Sequence, residues 1–370
     1  MDETASSAVS SLDLAWGQPS TLAICEQCDW AFVVAAESLP PQCPHCFRAS
    51  LTPIEASADL LPRLRPPELM LPFTVSEAAV LQAIQNFAQG GWFAPRDLTP
   101  RNLHARLQRI YLPMWLVDGK VEAQWQAEVD FDYEVVSHQN LYSDSRGWRE
   151  HAVTEKRIRW ERRLGRLRRA YANVLAPAME EHAHILRQLG AFAVERSQAA
   201  TPQGYAGALV RLPNRLPQDA WSDAQAGFQA AAAAECQQAA AAQHIRAYQW
   251  TPKFSDLNWT LLLLPVLTSY YLDDERQPVT VMLHGQSGRL SGLRRASMKR
   301  AQTAALWIGA IATLIFVLSV LLAGAALFFP PLLVLAGAGM LLAGVVGLSA
   351  VIPLLVSWNV NRKNRQAASL

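Results

Sequence analysis

The chain has 370 residues, with 33 Lys+Arg against 31 Asp+Glu and a formal net charge of +2. Apolar residues make up 51% and charged residues 17%. That composition excludes a disordered chain and a small disulfide scaffold, and the charge balance excludes a basic protein held on nucleic acid by bulk electrostatics. The charge is unevenly spread. Residues 301–358 contain no charged side chain, and the last twelve residues carry Arg362, Lys363 and Arg365 but no acid. Residues 1–300 are therefore close to neutral, and a membrane segment with a basic tail follows them.

The first motif is Cys25-Glu26-Gln27-Cys28 with Cys43-Pro44-His45-Cys46, fourteen residues apart. Two C-x-x-C turns at this separation place four thiolates around one tetrahedral ion, most naturally a structural Zn2+. Iron fits the same spacing. Four protein ligands close the shell, which leaves no open position for catalysis. His45 is expected to be a surface residue rather than a ligand. Asp29 to Val34 read as a strand, so residues 1–52 form an N-terminal zinc ribbon. Arg48 is the only base near it, which disfavours nucleic acid as its ligand.

Prolines at 53, 62, 66, 67 and 72 mark residues 53–73 as a partly extended linker. A mixed body follows over residues 74–296. Thr74-Val75-Ser76-Glu77 reads as a capping box, followed by a helix with Ala79, Val80, Ala83, Ile84 and Phe87 on one face and Gly90-Gly91 at its end. A second helix is expected after Thr99-Pro100, with Leu103, Leu107 and Ile110 inward.

From Val121 to Val135 apolar and polar residues alternate strictly, which predicts a strand of some fifteen residues with one buried face and one acidic face. Ten Lys and Arg lie between Arg146 and Arg169. A turn through Ser143-Asp144-Ser145-Arg146-Gly147 would set Lys156, Arg157 and Arg159 beside those acids. Cross-strand charge pairing with a solvated helix face is the expected role of the run; contact with anionic lipid over Arg162 to Arg169 is the alternative. Ala172 to Arg196 read as helical. Asp219 to Arg246 reads as a long alanine-rich helix, with Trp221 and Phe228 inward and a lone Cys236 as a small buried side chain. Leu261 to Tyr271 reads as an apolar strand bent or ended at Pro265. A turn over Asp273 to Gln277, a strand over Val279 to Leu283 and a tight turn over His284 to Gly288 follow.

The uncharged stretch holds about two lengths of membrane-spanning helix, split by Pro330-Pro331 into helices over about 303–329 and 332–357. Bases flank both outer ends: Arg289, Arg294, Arg295, Lys299 and Arg300 before, Arg362, Lys363 and Arg365 after. The connecting loop has none. Positive residues stay on the cytoplasmic side, so both termini and the body are expected in the cytoplasm of a two-pass inner-membrane protein, with residues 359–370 as a basic tail. Gly339, Ala343 and Gly347, four apart, form a small-residue face for packing within the hairpin or for a homo-oligomer. The fold class expected is α+β: a zinc ribbon, a mixed body with antiparallel sheets, and a C-terminal two-helix transmembrane hairpin.

Tyr111-Leu112-Pro113-Met114-Trp115-Leu116-Val117-Asp118-Gly119-Lys120-Val121 resembles the "LPFWLFDA-V" signature of a bacterial family of zinc-ribbon membrane proteins, often auto-named primosomal or helicase-like. Trp92-Phe93-Ala94-Pro95 with Asp97-Leu98 is similar to the family's "WFAP-DL" element, and Leu264 to Gly288 resembles its "LPVW…Y-Y…V-V-NGQTG" ending. Met114, Val117, Gly119, Leu267, His284 and Ser287 depart from the pattern. The resemblance implies a membrane anchor for envelope-stress modules, with phage-shock-protein-A-like or flotillin-like SPFH proteins as partners, and no catalytic residues. No G-x-x-x-x-G-K-[ST] phosphate loop is present, so motor activity has no support. The function expected is a non-enzymatic membrane-anchored adaptor or scaffold that recruits cytoplasmic protein; the alternative is a membrane-tethered nucleic-acid-binding zinc-ribbon protein. An enzyme would have to use Asp118, His138, His151 or His284, none of which forms an acid–base pair by spacing.

Overall fold

The computed structural model describes residues 12–13, 16–35, 39–55, 57, 60–143 and 147–368. Among them a single sheet collects β1 (Ser20–Ile24), β2 (Ala31–Ala35), β3 (Thr52–Ile54), β4 (Leu69–Met70), β5 (Gln108–Ser143), β6 (Gly147–Pro177), β7 (Gln198–Ala199), β8 (Leu209–Arg211), β9 (Ile245–Leu272), β10 (Pro278–His284) and β11 (Leu290–Gly292). Its main path runs β11-β10-β9-β5-β8-β2-β1-β3, with β6 on β5 and β4 between β7 and β9. The sheet is mixed and not only antiparallel as expected: β4 runs parallel to β9 and β5 parallel to β8.

The expected fifteen-residue strand is much longer. β5 spans 36 residues, about 120 Å at ~3.3 Å per residue. Alternation reveals only its half-buried middle. Ile110 to Val117 are buried on both faces and show no period of two. The expected turn residues Asp144, Ser145 and Arg146 lie outside the described residues, while the strands on either side pair from Ser143↔Gly147 inward. β6 continues to Pro177. The expected helix over Ala172 to Arg196 therefore shrinks to His182–Leu189. Leu175 and Ala176 favour helix by propensity, but pairing with Leu116 and Trp115 overrides it. β9 also passes through Pro265 without ending.

The helices sit where the sheet needs cover. In Glu77–Gln89 the cap is Ser76, whose Oγ accepts the Ala79 N–H at 3.2 Å; Thr74 instead donates its N–H to Gly285 O at 3.0 Å. Val80, Ile84 and Phe87 pack against Leu267, Tyr271, Val281 and Leu283. Thr99 caps Pro100–Ala105, and Ile110 belongs to β5. The alanine-rich helix is Trp221–Ala239, shorter than expected because the chain turns into β9 at Ile245. Ala224, Phe228, Ala232 and Cys236, four apart, are its buried stripe. Small side chains let the axis lie close to the sheet: Gly227 approaches Val174, and Phe228 fills the space over Gly119. Pro353, at the start of Ile352–Ala368, breaks the second apolar helix after Leu332–Ser349.

Met298–Ala325 and the segment from Leu332 onward are long and apolar enough to cross a membrane. Gly339 lies against Ser319, and Gly347 against Ala312. The small-residue face is thus used inside the hairpin.

Candidate metal centre

Four sulfurs meet where the first C-x-x-C turn, between β1 and β2, faces the second, before β3. Cys25, Cys28, Cys43 and Cys46 have their Sγ atoms all within 4.8 Å of one another, with Cys25–Cys46 at 3.6 Å and Cys28–Cys43 at 3.7 Å. None is in a disulfide. Four sulfurs held ~2.3 Å from one tetrahedral centre stand about 3.8 Å apart. The cluster thus has the size and donor set to hold a metal ion.

The two turns are built alike. Cys25 O accepts the Asp29 N–H at 2.8 Å, and Cys43 O accepts the Phe47 N–H at 3.0 Å. Asp29 (φ 56°) and Phe47 (φ 52°) both adopt the left-handed conformation that closes each turn. Aspartate tolerates it; phenylalanine does not readily. Packing holds Phe47 there: its buried ring stacks on Tyr270 with centroids 4.5 Å apart. Without an ion the thiols compete for protons. A hydrogen bond from Cys28 pulls the Cys43 thiol down to about 5, and the same contact pushes Cys28 up. Burial raises Cys25. An ion would remove that competition by binding all four as thiolates.

The surroundings correct the expectation for His45. It is half-buried rather than fully exposed. Its ring stacks on Trp30 at 3.6 Å and 7°, its carbonyl accepts the Thr280 hydroxyl at 2.8 Å, and burial pushes its pKa down to about 4. It stays outside the sulfur cluster. Arg211 is also nearby, 3% exposed, with its guanidinium 4.3 Å from the Trp30 ring centroid and Nη1 donating to Leu212 O. Four thiolates and a divalent ion carry a formal charge of about −2. Arg211 is a buried cation that faces Glu181 first and the Cys28 and Cys43 thiols next, and burial pulls its own pKa down to about 10. Sequence reasoning missed this residue. The available signal was an arginine inside the apolar run Leu209-Val210-Arg211-Leu212.

The ribbon is part of the body. β2 pairs with β8, Phe47 and His45 dock on β9 and β10, and Trp30 Nε1 donates to Glu181 Oε1 at 3.3 Å. Residues of the expected spacer form β3, a short 3-10 turn and β4.

The remaining candidate residues are not brought together. Asp118 Oδ1 accepts the Asn173 N–H at a bulge. His138 lies twenty residues further along β5, roughly 65 Å away, and His151 falls on β6 opposite Gln139. His284 is buried, stacked on Phe192, with Nε2 on Ala191 O and Nδ1 receiving the Gln286 and Ser287 N–H groups. It organises the turn. Cys236 is buried against Tyr248, and burial raises its pKa.

From Gly147 onward the basic run lies in β6, with no helix face among the described residues. Arg162 and Arg168 pair across to Glu128 and Glu122, and Arg169 pairs with Glu235 on the alanine-rich helix. Arg157 and Arg159 instead pair along their own strand with Glu155 and Glu161. Comparison with known proteins adds no identity: no family model, curated protein or solved structure matches the chain.

Proposed function

We propose that the protein is a membrane-anchored adaptor, with a Zn2+ ion clamping its N-terminal ribbon into the body and a long β arm that receives a cytoplasmic protein partner. The apolar hairpin is the anchor, and its flanking bases support a cytoplasmic body and cytoplasmic termini. The metal site is closed by four cysteines, which suits a structural ion.

The single observation that carries the reading is the arm. β9 pairs with β5 only as far as Ile245↔Val129. Beyond that point β5 and β6 continue alone, exposing Tyr133, Val136 and Ile158 among Lys156, Arg157 and Arg159. A polar ribbon that covers no core is expensive to keep ordered unless something uses it. The arm's bases are neutralised by acids on the same ribbon, which favours a protein partner over nucleic acid. The resemblance to zinc-ribbon membrane proteins supports coat-like or flotillin-like partners.

The test is a shortened arm. Residues 134–156 are deleted, and Tyr133 is joined to Arg157 through Asn-Gly, a turn suited to a two-residue hairpin. The variant should keep its metal and its membrane location. Partner recovery from native membranes should fall at least about tenfold, a difference of ~1.4 kcal/mol in binding. Recovery equal to that of the intact chain would remove the arm from the function.

A further inference from the structure

We infer that the loop around Trp92 is a second membrane contact, with the Trp92 indole seated among lipid headgroups beside the first spanning helix. This rests on the reading of the apolar hairpin as membrane-spanning.

Trp92 follows the helix Glu77–Gln89 and is 76% exposed, a costly way to leave a large aromatic ring in water. The loop that carries it is fastened to the entrance of the apolar helix. Ser297, the N-cap of Met298–Ala325, donates its N–H to Phe93 O at 2.7 Å. Arg300 Nη1 donates to Ala94 O at 2.7 Å, and Arg294 Nη1 to Gly90 O at 3.4 Å. Three bonds thus tie three loop carbonyls to one helix start. Phe93 is held at φ 55° between them, so the loop has a fixed shape.

Position along the helix sets the depth. The uncharged stretch starts at Ala301, four residues past Ser297, or about 6 Å along the axis. The loop therefore stands at headgroup level, where an indole with one polar N–H and a large apolar face is favoured. Arg294, Lys299 and Arg300 precede the uncharged stretch and suit lipid phosphates, while Arg295 is paired with Asp273 and Lys299 also donates to Asp274 O. A soluble partner would leave the same bases facing the bilayer and gain nothing from the ties to the helix start.

Photo-crosslinking of the full chain in phosphatidylethanolamine–phosphatidylglycerol vesicles tests this. Trp92→benzoylphenylalanine is compared with the same replacement of Trp307, or of Leu314 should the Trp307 variant insert poorly, and of the exposed Leu164 on β6. Lipid adducts at position 92 should approach those at 307 or 314 and exceed those at 164 at least about tenfold, as a headgroup-level aromatic requires. Adducts at 307 or 314 but not at 92, or protein adducts at 92, overturn the inference while leaving the anchor intact. No lipid adducts at any position overturns the anchor and the inference together.

Discussion

Between Trp115 and Ala123, β5 packs with the helix Trp221–Ala239, and Trp115, Val117 and Val121 are almost wholly buried. Between Phe131 and Val135 the same strand keeps the same alternation, but Tyr133 is exposed and Phe131 only half-buried. A period of two states which side chains share a face. It does not state whether anything covers that face. The inner half has a helix, a third strand and the four-cysteine ribbon in its sheet; the outer half has one partner strand. Substitutions should be costly in the inner half and cheap in the outer.

The largest contrast comes from the metal. Apparent binding energies of structural Zn2+ sites are about 10 kcal/mol or more. Chelation, or Cys25→Ser, should expose the amides of β1 to β3 to hydrogen exchange and disturb β8, while leaving the β5–β6 pairs beyond Val129 as they were. Protection lost first from the arm would reverse the picture.

Phe228→Ala comes next. Its ring is fully buried over Gly119 and touches Tyr171, Trp221 and Phe254. Truncation should cost about 3–5 kcal/mol, read as a lower denaturant midpoint of the metal-loaded protein. A change below about 1 kcal/mol would mean that the helix does not hold the inner half down.

Much of this contrast was invisible in the sequence. The four cysteines were legible because zinc-like coordination imposes a short, fixed spacing, and the hairpin was legible because a bilayer demands length without charge. Trp221 and Phe228 marked the inner side of their helix correctly. The length of β5 was not legible, since Ile110 to Val117 are buried on both faces and lose their alternation. Ala172 to Pro177 carried helix-favouring residues whose strand state comes from pairing over fifty residues away. Arg211 and His45 join the surroundings of the cysteine cluster only through packing of β8 and Trp30, which no local pattern encodes.

A third test sits at the junction of the two halves. Asp130 is buried where β9 begins; its Oδ2 lies 2.6 Å from His244 Nδ1, and Oδ1 accepts the His244 N–H. Burial alone would raise the carboxyl, yet the backbone and ring of His244 hold it below the ordinary carboxylate range. A depressed carboxylate contributes stability above its unfolded value near 4, and the contribution is lost as pH falls through the folded value. Asp130→Asn should therefore lower the thermal midpoint at pH 7, and the gap from the parent should start to narrow below about pH 4 and close only below the folded value. A gap that persists in acid would assign the role to shape rather than charge.

The smallest effect is expected on the arm itself. Tyr133→Ser and Val136→Ser remove apolar surface that is already in water, so each should change stability by no more than about 0.5 kcal/mol. The arm's own order rests on backbone pairing and on contacts such as Arg163 over Phe131 and Arg246 over Trp160, at 5.2 and 3.9 Å from the ring centroids. Those contacts lie toward its base and are untouched by the two changes. A loss above about 2 kcal/mol from either would show that the outer face is packed in solution. The arm would then be buried in the isolated protein, and the distinction between a covered inner half and a bare outer half would fail.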